Sequence, residues 1–156
     1  AFHFANRVKP ITFETRVKWV TYPTNFFIGL ISAAFVGNDF PVVTATTRPV
    51  RAIILERSSA TDVVFTSRVG ANVTVGTSFA KAADNTWFKV KIEFTDVGGN
   101  QAKCYVDDVL KQTLNTAASL PTADNLYPAV LLPNPTGDVS VDRVKCDAGG
   151  AIVDLA

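Results

Sequence analysis

The chain has 156 residues, 47% of them hydrophobic and 19% charged, with a formal net charge of +1. That length suits a single domain over residues 1–156, able to bury about two-thirds of the surface its unfolded form would expose, and so much apolar content excludes a disordered chain. The near-neutral balance, with basic residues scattered singly along the sequence, argues against nucleic acid or an anionic membrane as a partner held by bulk charge.

Residues 11–20 alternate. Ile11, Phe13, Thr15, Val17 and Trp19 stand on one side and Thr12, Glu14, Arg16 and Lys18 on the other, the pattern of a strand with one wet face. Tyr22-Pro23-Thr24-Asn25 breaks it. Phe26 to Val36 is then apolar on both sides, as in a strand covered on each face; a helix is the competing reading, disfavoured by the β-branched and aromatic content. At eleven residues the run is too short to span a bilayer. No charged segment leading into an apolar stretch and a small-residue cleavage site marks a secretory signal. Gly37-Asn38-Asp39 and Pro41 read as a loop, and Val42 to Thr47 as an irregular edge strand or loop. Ala52 to Glu56 and Asp62 to Arg68 form a hairpin around Ser58-Ser59-Ala60-Thr61, and Gly70-Ala71-Asn72 turns the chain into Val73 to Val75. Lys81-Ala82-Ala83-Asp84 reads as a helical turn or an extended loop.

The clearest unit runs from Thr86 to Leu114. Phe88, Val90, Ile92 and Phe94 alternate with Lys89, Lys91 and Glu93; Asp96 to Asn100 reverses the chain; Ala102, Cys104 and Val106 then alternate with Lys103 and Tyr105. Asp107-Asp108 turns again into Val109 to Leu114. Beyond it, Leu120 anchors a connection, Tyr127 to Leu132 is a strand stopped by Pro133 and Pro135, and Asp138 to Cys146 is a strand with an irregularity near Asp142-Arg143. There the apolar parity shifts from Val139 and Val141 to Val144 and Cys146. Gly149-Gly150 releases a short tail, residues 147–156. Ten to twelve short strands with almost no helical pattern give an all-β chain, a two-layer antiparallel sandwich or a barrel.

The order Thr86-Trp87, Val90-Lys91-Ile92-Glu93, Ala102-Lys103-Cys104-Tyr105-Val106-Asp107, Leu120-Pro121, Leu126-Tyr127-Pro128 and Val141-Asp142-Arg143-Val144 resembles the carboxy-terminal half of a concanavalin A-like, laminin-G-like jelly roll. The version it resembles occurs in tail, fibre and head-decoration proteins of bacteriophages. The likeness spans residues 86–146, and Asp108 stands where that pattern has Gly, a substitution Asp tolerates better than most residues. It implies a β-sandwich, a non-enzymatic virion protein located on the particle, and assembly as a homo-oligomer with other virion proteins. The matching positions are structural, so no catalytic residue follows from them.

Chemistry is sparse. Glycosidases on such folds place carboxylates on one strand face in a Glu-x-Asp-x-x-Glu run, whereas the only glutamates here are Glu14, Glu56 and Glu93, none at that spacing. Glu93 and Asp96, three apart, would point to opposite faces. The single histidine, His3, leaves a Ser or Cys nucleophile without a base. Cys104 and Cys146 sit at neither metal nor redox spacing and read as two buried thiols, with a cross-strand disulfide as the lesser alternative. Asp107-Asp108, or Asp138 with Asp142, offer carboxylates to Ca, although turn and strand-end roles account for them more simply. For a lectin-like module binding cell-surface glycan, the candidates are Asn38, Asp39 and Tyr127, with Phe26 and Phe27 as weaker ones. The apolar Phe26 to Val36 strand equally suits a subunit contact.

Overall fold

The computed structural model describes residues 10–32, 50–95, 100–122, 126–132, 136–147 and 152–154. Its strands, in chain order, are β1 (Ile11–Thr21), β2 (Phe27–Ser32), β3 (Arg51–Arg57), β4 (Asp62–Val69), β5 (Asn72–Val75) and β6 (Phe79–Ala80). There follow β7 (Trp87–Thr95), β8 (Gln101–Val106), β9 (Val109–Leu114), β10 (Leu126–Leu131), β11 (Asp138–Asp147) and β12 (Ile152–Asp154). They form two antiparallel sheets: six strands in the order β12-β11-β1-β7-β8-β9, and a second sheet ordered β10-β2-β3-β4-β5 with β6 beside β4. The fold is an all-β, two-layer antiparallel sandwich.

Alternation decides which way the first sheet faces. β1 and β7 pair Phe13 with Ile92 and Val17 with Phe88, and these side chains are buried, at most 3% exposed. Directly opposed residues share a face, so pairing carries the inward set of β1 onto β7 and then onto Ala102 and Cys104 of β8. From the other sheet, Ile28, Leu30, Ile53, Leu55 and Phe65 meet them in one core. At one end of that core Trp19 packs on Tyr22, Phe26 and Phe88, with ring centroids 5.4, 4.7 and 4.9 Å away. Tyr22 closes this end, lying between Arg57 at 4.9 Å and Lys81 at 4.8 Å while its hydroxyl donates to the Asp62 carbonyl at 2.8 Å.

The second sheet is different. All six residues of β2 are buried: Ile28 and Leu30 in the shared core, Phe27 and Ile31 in a separate outer cluster with Ala52 and Ile54. The doubly apolar run predicted from sequence is therefore a strand covered on each side, as far as Ser32. Residues 33–36 of that run, the 37–41 loop and the proposed edge strand at Val42 to Thr47 lie outside the described residues, as do the 96–99 part of the Asp96 to Asn100 turn and His3.

Three local features follow from single residues. Asp107 and Asp108 have φ of 49° and 64°, the left-handed pair that a two-residue type I′ hairpin requires. The Asp107 carboxylate accepts the Lys89 amide at 2.8 Å, and its own amide donates to the Lys89 carbonyl at 3.0 Å. In β11, Arg143 pairs with Arg16 and Val141 with Val17, so Asp142 is the extra residue of a bulge where the sequence shows its parity shift. Cys104 and Cys146 are buried free thiols. They lie in one inward row, Cys146–Phe13–Ile92–Cys104, three strand spacings or about 14 Å apart, twice the reach of a disulfide. Burial pushes both thiols up to about 12, Lys111 opposing slightly at Cys104 and Asp147 adding at Cys146.

One reading needs correction, and one open alternative is decided in favour of the loop. The segment after Gly149-Gly150 is more than a tail, because Ile152–Asp154 returns as β12 along the edge of β11; three residues are too few to display a period. Lys81 to Asp84 forms no helix. Lys81 pairs with Asp84, and the Thr86 amide donates to the Ala83 carbonyl at 3.3 Å in a turn; the one helical piece among the described residues is a 3-10 turn at Ala117–Ser119.

Candidate functional site

The outward side of the six-stranded sheet is built by the same alternation that fills the core. Strand pairing sets its residues in four rows across β11, β1, β7 and β8. The first row is Asp147, Thr12, Glu93 and Lys103; the second is Lys145, Glu14, Lys91 and Tyr105. The third is Arg143, Arg16 and Lys89, and the fourth Ser140, Lys18 and Trp87. Strand spacing and rise make this lattice about 14 Å by about 20 Å. Seven of the chain's fifteen Lys and Arg residues stand on it, against three of its fourteen Asp and Glu. The sequence scatters the basic residues; the fold gathers them.

Two aromatic rings lie in the lattice, both half-buried. Trp87 has the Arg16 guanidinium and the Lys18 ammonium each 5.2 Å from its ring centroid. Tyr105 has Lys91 at 4.3 Å, and its hydroxyl donates to Glu93 at 3.0 Å. Partial burial, then that bond and the Glu93 charge, hold the phenol above its ordinary value. Such contacts fix the rings at modest energy, about 0.5–1 kcal/mol each at exposed positions.

Part of the charge is internally compensated. Lys91 pairs with Glu93 at 3.0 Å, Arg16 with the bulge residue Asp142 at 3.2 Å, and Lys89 with the turn residue Asp108 at 2.6 Å. The bond to Asp108 is the main reason the Lys89 ammonium holds its proton more tightly than usual. Among the described residues Lys18, Lys103, Arg143 and Lys145 make no ion pair. Near the β11 edge the face dips into a depression of about 130 Å³, lined by Thr12, Glu14, Lys145, Cys146 and Asp147. That is about the volume of four waters, so it takes one substituent and not a whole ligand.

The site residues expected from sequence do not converge here. Tyr127 lies in β10 opposite Ile31, on the outward side of the other sheet and half-buried, while Asn38 and Asp39 lie outside the described residues. Phe26 and Phe27 are 1% and 3% exposed, which removes them as a sugar platform: both are core. Three of the four carboxylates considered for Ca are already engaged, Asp107 by an amide, Asp108 by Lys89 and Asp142 by Arg16, while Asp138 is exposed at the start of β11. Among the described residues no group of three His, Cys, Asp or Glu is placed to hold a metal ion.

Glu14 and Glu93, far apart in sequence, become diagonal neighbours on β1 and β7, about 7–8 Å between Cα atoms. Glu56 is buried on the other sheet, accepting the Thr66 hydroxyl at 2.5 Å. The basic face itself had a signal in the sequence: Arg16 and Lys18, Lys89 and Lys91, and Arg143 and Lys145 are each two residues apart within a strand. A spacing of two puts both members of each pair on one side.

No protein-family model matches the chain, and no curated protein matches it by sequence. Solved structures do match in shape. The Emp47p carbohydrate recognition domain gives a TM-score of 0.64 at 10% identity, over 95% of this chain and 76% of that one. A carbohydrate-binding module of Bacillus subtilis, CBM66, gives 0.56 at 12% identity over 90% and 76%. The catalytic domain of an endo-1,3-β-glucanase from Thermotoga petrophila gives 0.55 at 14%, over 97% and 66%. The fold is thus that of the concanavalin A-like jelly rolls, whose two-layer sandwich serves carbohydrate recognition domains and at least one glucanase catalytic domain.

Proposed function

We propose that this domain is a non-catalytic carbohydrate-binding module that holds a glycan across the outward lattice of β11, β1, β7 and β8. The observation that carries the reading is the placing of two aromatic rings, Trp87 and Tyr105, among fixed hydrogen-bonding charges on the same sheet face as a small depression. Sugar rings present apolar C–H faces and rims of hydroxyls. An aromatic surface takes the first, and paired Lys and Glu side chains take the second, donating and accepting in turn. The fold's company among carbohydrate recognition domains supports the same class. Glu93 is bonded to both Lys91 and Tyr105, which suits a fixed hydrogen-bond acceptor better than a proton donor to a leaving group.

The test is a glycan array followed by calorimetry on the wild type, Trp87→Ala, Tyr105→Phe and Tyr127→Ala. Binding should fall at least tenfold in Trp87→Ala, fall less in Tyr105→Phe, and survive in Tyr127→Ala. Loss confined to Tyr127→Ala would move the site to the other sheet. Polysaccharide cleavage by the purified protein, lost in Glu93→Gln, would make it an enzyme.

A second reading, a virion surface protein assembled as a homo-oligomer with other particle subunits, draws its support from the sequence likeness over residues 86–146. A glycan-binding face is compatible with it. Defined oligomers in gel filtration with light scattering, attaching to empty capsids without binding sugar, would favour it over the module.

A further inference from the structure

We propose that the lattice selects anionic polysaccharide, chains bearing carboxylate or sulfate groups, over neutral glycan; this rests on the carbohydrate-binding reading above. The sign of the face comes from its uncompensated cations. Arg16, Lys89 and Lys91 are paired with acids at 2.6–3.2 Å, but among the described residues Lys18, Lys103, Arg143 and Lys145 are not; Lys103 stands in the first row and Lys18 in the fourth, with Arg143 and Lys145 on β11 in the rows between. A ligand lying along the strands meets Lys103 at one end of the lattice and Lys18 at the other.

Arg143 is the strongest of these. It flanks Arg16 in a row that continues to Lys89, and its planar guanidinium offers the two-pronged donation that carboxylate and sulfate accept. Lys145, one row away, lines the depression together with Glu14 and Asp147, so a charged substituent bound at Lys145 has hydroxyl acceptors beside it. Those interleaved carboxylates also bear on the kind of polymer. A nucleic-acid backbone places a phosphate at every step and would meet Glu14, Glu93 or Asp147 at close range, whereas a polysaccharide carries charge on spaced substituents and hydroxyls between them. The face therefore favours the polysaccharide.

The experiment measures binding of polygalacturonate, chondroitin sulfate, neutral laminarin and a single-stranded oligonucleotide at about 50 and about 500 mM salt, where the screening length falls from more than 10 Å to about 4 Å. The proteins compared are wild type, Arg143→Gln, Lys145→Gln, the double variant, and Arg51→Gln, which removes a cation from the other sheet. One or both anionic polysaccharides should bind at least tenfold tighter than laminarin at low salt. Each lattice substitution should weaken that binding on the order of fivefold, and Arg51→Gln should leave it alone. Because Arg143 and Lys145 point away from the core, unchanged circular dichroism and urea midpoints will show that the variants are folded. Equal or tighter binding of laminarin, indifferent to salt and to both substitutions, overturns the charge selection and leaves the glycan reading standing. Binding of none of the three polysaccharides overturns both. Oligonucleotide binding as tight as the best polysaccharide, lost in the same variants, shows a general polyanion surface and overturns the selection for polysaccharide.

Discussion

Gly29 is the residue on which the packing of the two sheets can be tested most directly. It sits in mid β2, paired with Ile54 on one side and Ala129 on the other, yet its φ is +154°, a conformation in which side chains are strained. A Cβ built there would lie 2.2 Å from the Ile53 carbonyl oxygen, 2.9 Å from Ile92 Cδ1 and 3.0 Å from Ile54 Cα. The first and last are backbone atoms of the neighbouring strand and cannot swing aside; the second belongs to the opposite sheet. Gly29→Ala should therefore cost about 1–3 kcal/mol for the backbone conformation and about 1–3 kcal/mol for forced repacking. Together these are a large part of the 5–15 kcal/mol that holds an ordinary domain. With a urea slope of about 2 kcal/mol/M, the unfolding midpoint should fall by about 1–3 M. Gly70→Ala separates the two contributions, since Gly70 has φ of +59° but nothing within 4 Å of its built Cβ; it should lose only about 1–2 kcal/mol. A Gly29→Ala midpoint within about 0.3 M of the wild type, or no greater shift than Gly70→Ala gives, would refute the close approach of β2 to β3 and to the opposing sheet.

Four further outcomes follow from individual side chains. Asp108→Gly should hold or raise the thermal midpoint, because glycine relieves the left-handed conformation at about 1 kcal/mol or more while the solvent-screened Lys89 pair it removes contributes little; a clear drop would mean that the ion pair sets the turn. Asp142→Ala, which removes the exposed partner of Arg16 but leaves the bulge backbone, should change stability by less than about 1 kcal/mol in the same measurement. Stability should also fall with rising pH from about 9 towards about 12. The folded chain keeps both thiols protonated up to about 12 while the unfolded chain ionises near the ordinary value of 9.0, so the unfolded state binds fewer protons in that window and gains with pH. Urea midpoints at pH 8 and 10.5 should show the loss, and a Cys104→Ala, Cys146→Ala variant should show less of it. In the native protein neither thiol should react with a disulfide reagent at pH 8, since the thiolate is the reactive form.

Much of the fold was legible because strands advertise themselves through side-chain period. Ile11 to Trp19 and Phe88 to Phe94 alternate without error, so each named its own inward face, and the parity shift at Asp142 announced the bulge. β12 was missed because three residues carry no period, and Lys81 to Asp84 was ambiguous because short polar runs suit turns and helices alike. The site was less legible. Tyr127 was an expectation from residue type alone, and strand order puts it on the sheet away from the basic lattice.

What the sequence settled by itself is local: which residues alternate, where the chain turns, and hence that two layers of strands enclose an apolar interior. What only the tertiary structure decided is adjacency across strands. Arg16, Lys89 and Arg143 are tens of residues apart in the chain yet form one row, and Glu14 meets Glu93 only because β1 lies between β11 and β7. Period depends on the backbone of one strand; neighbourhood on a sheet depends on which strands pair and in what register, a choice made by the whole core at once.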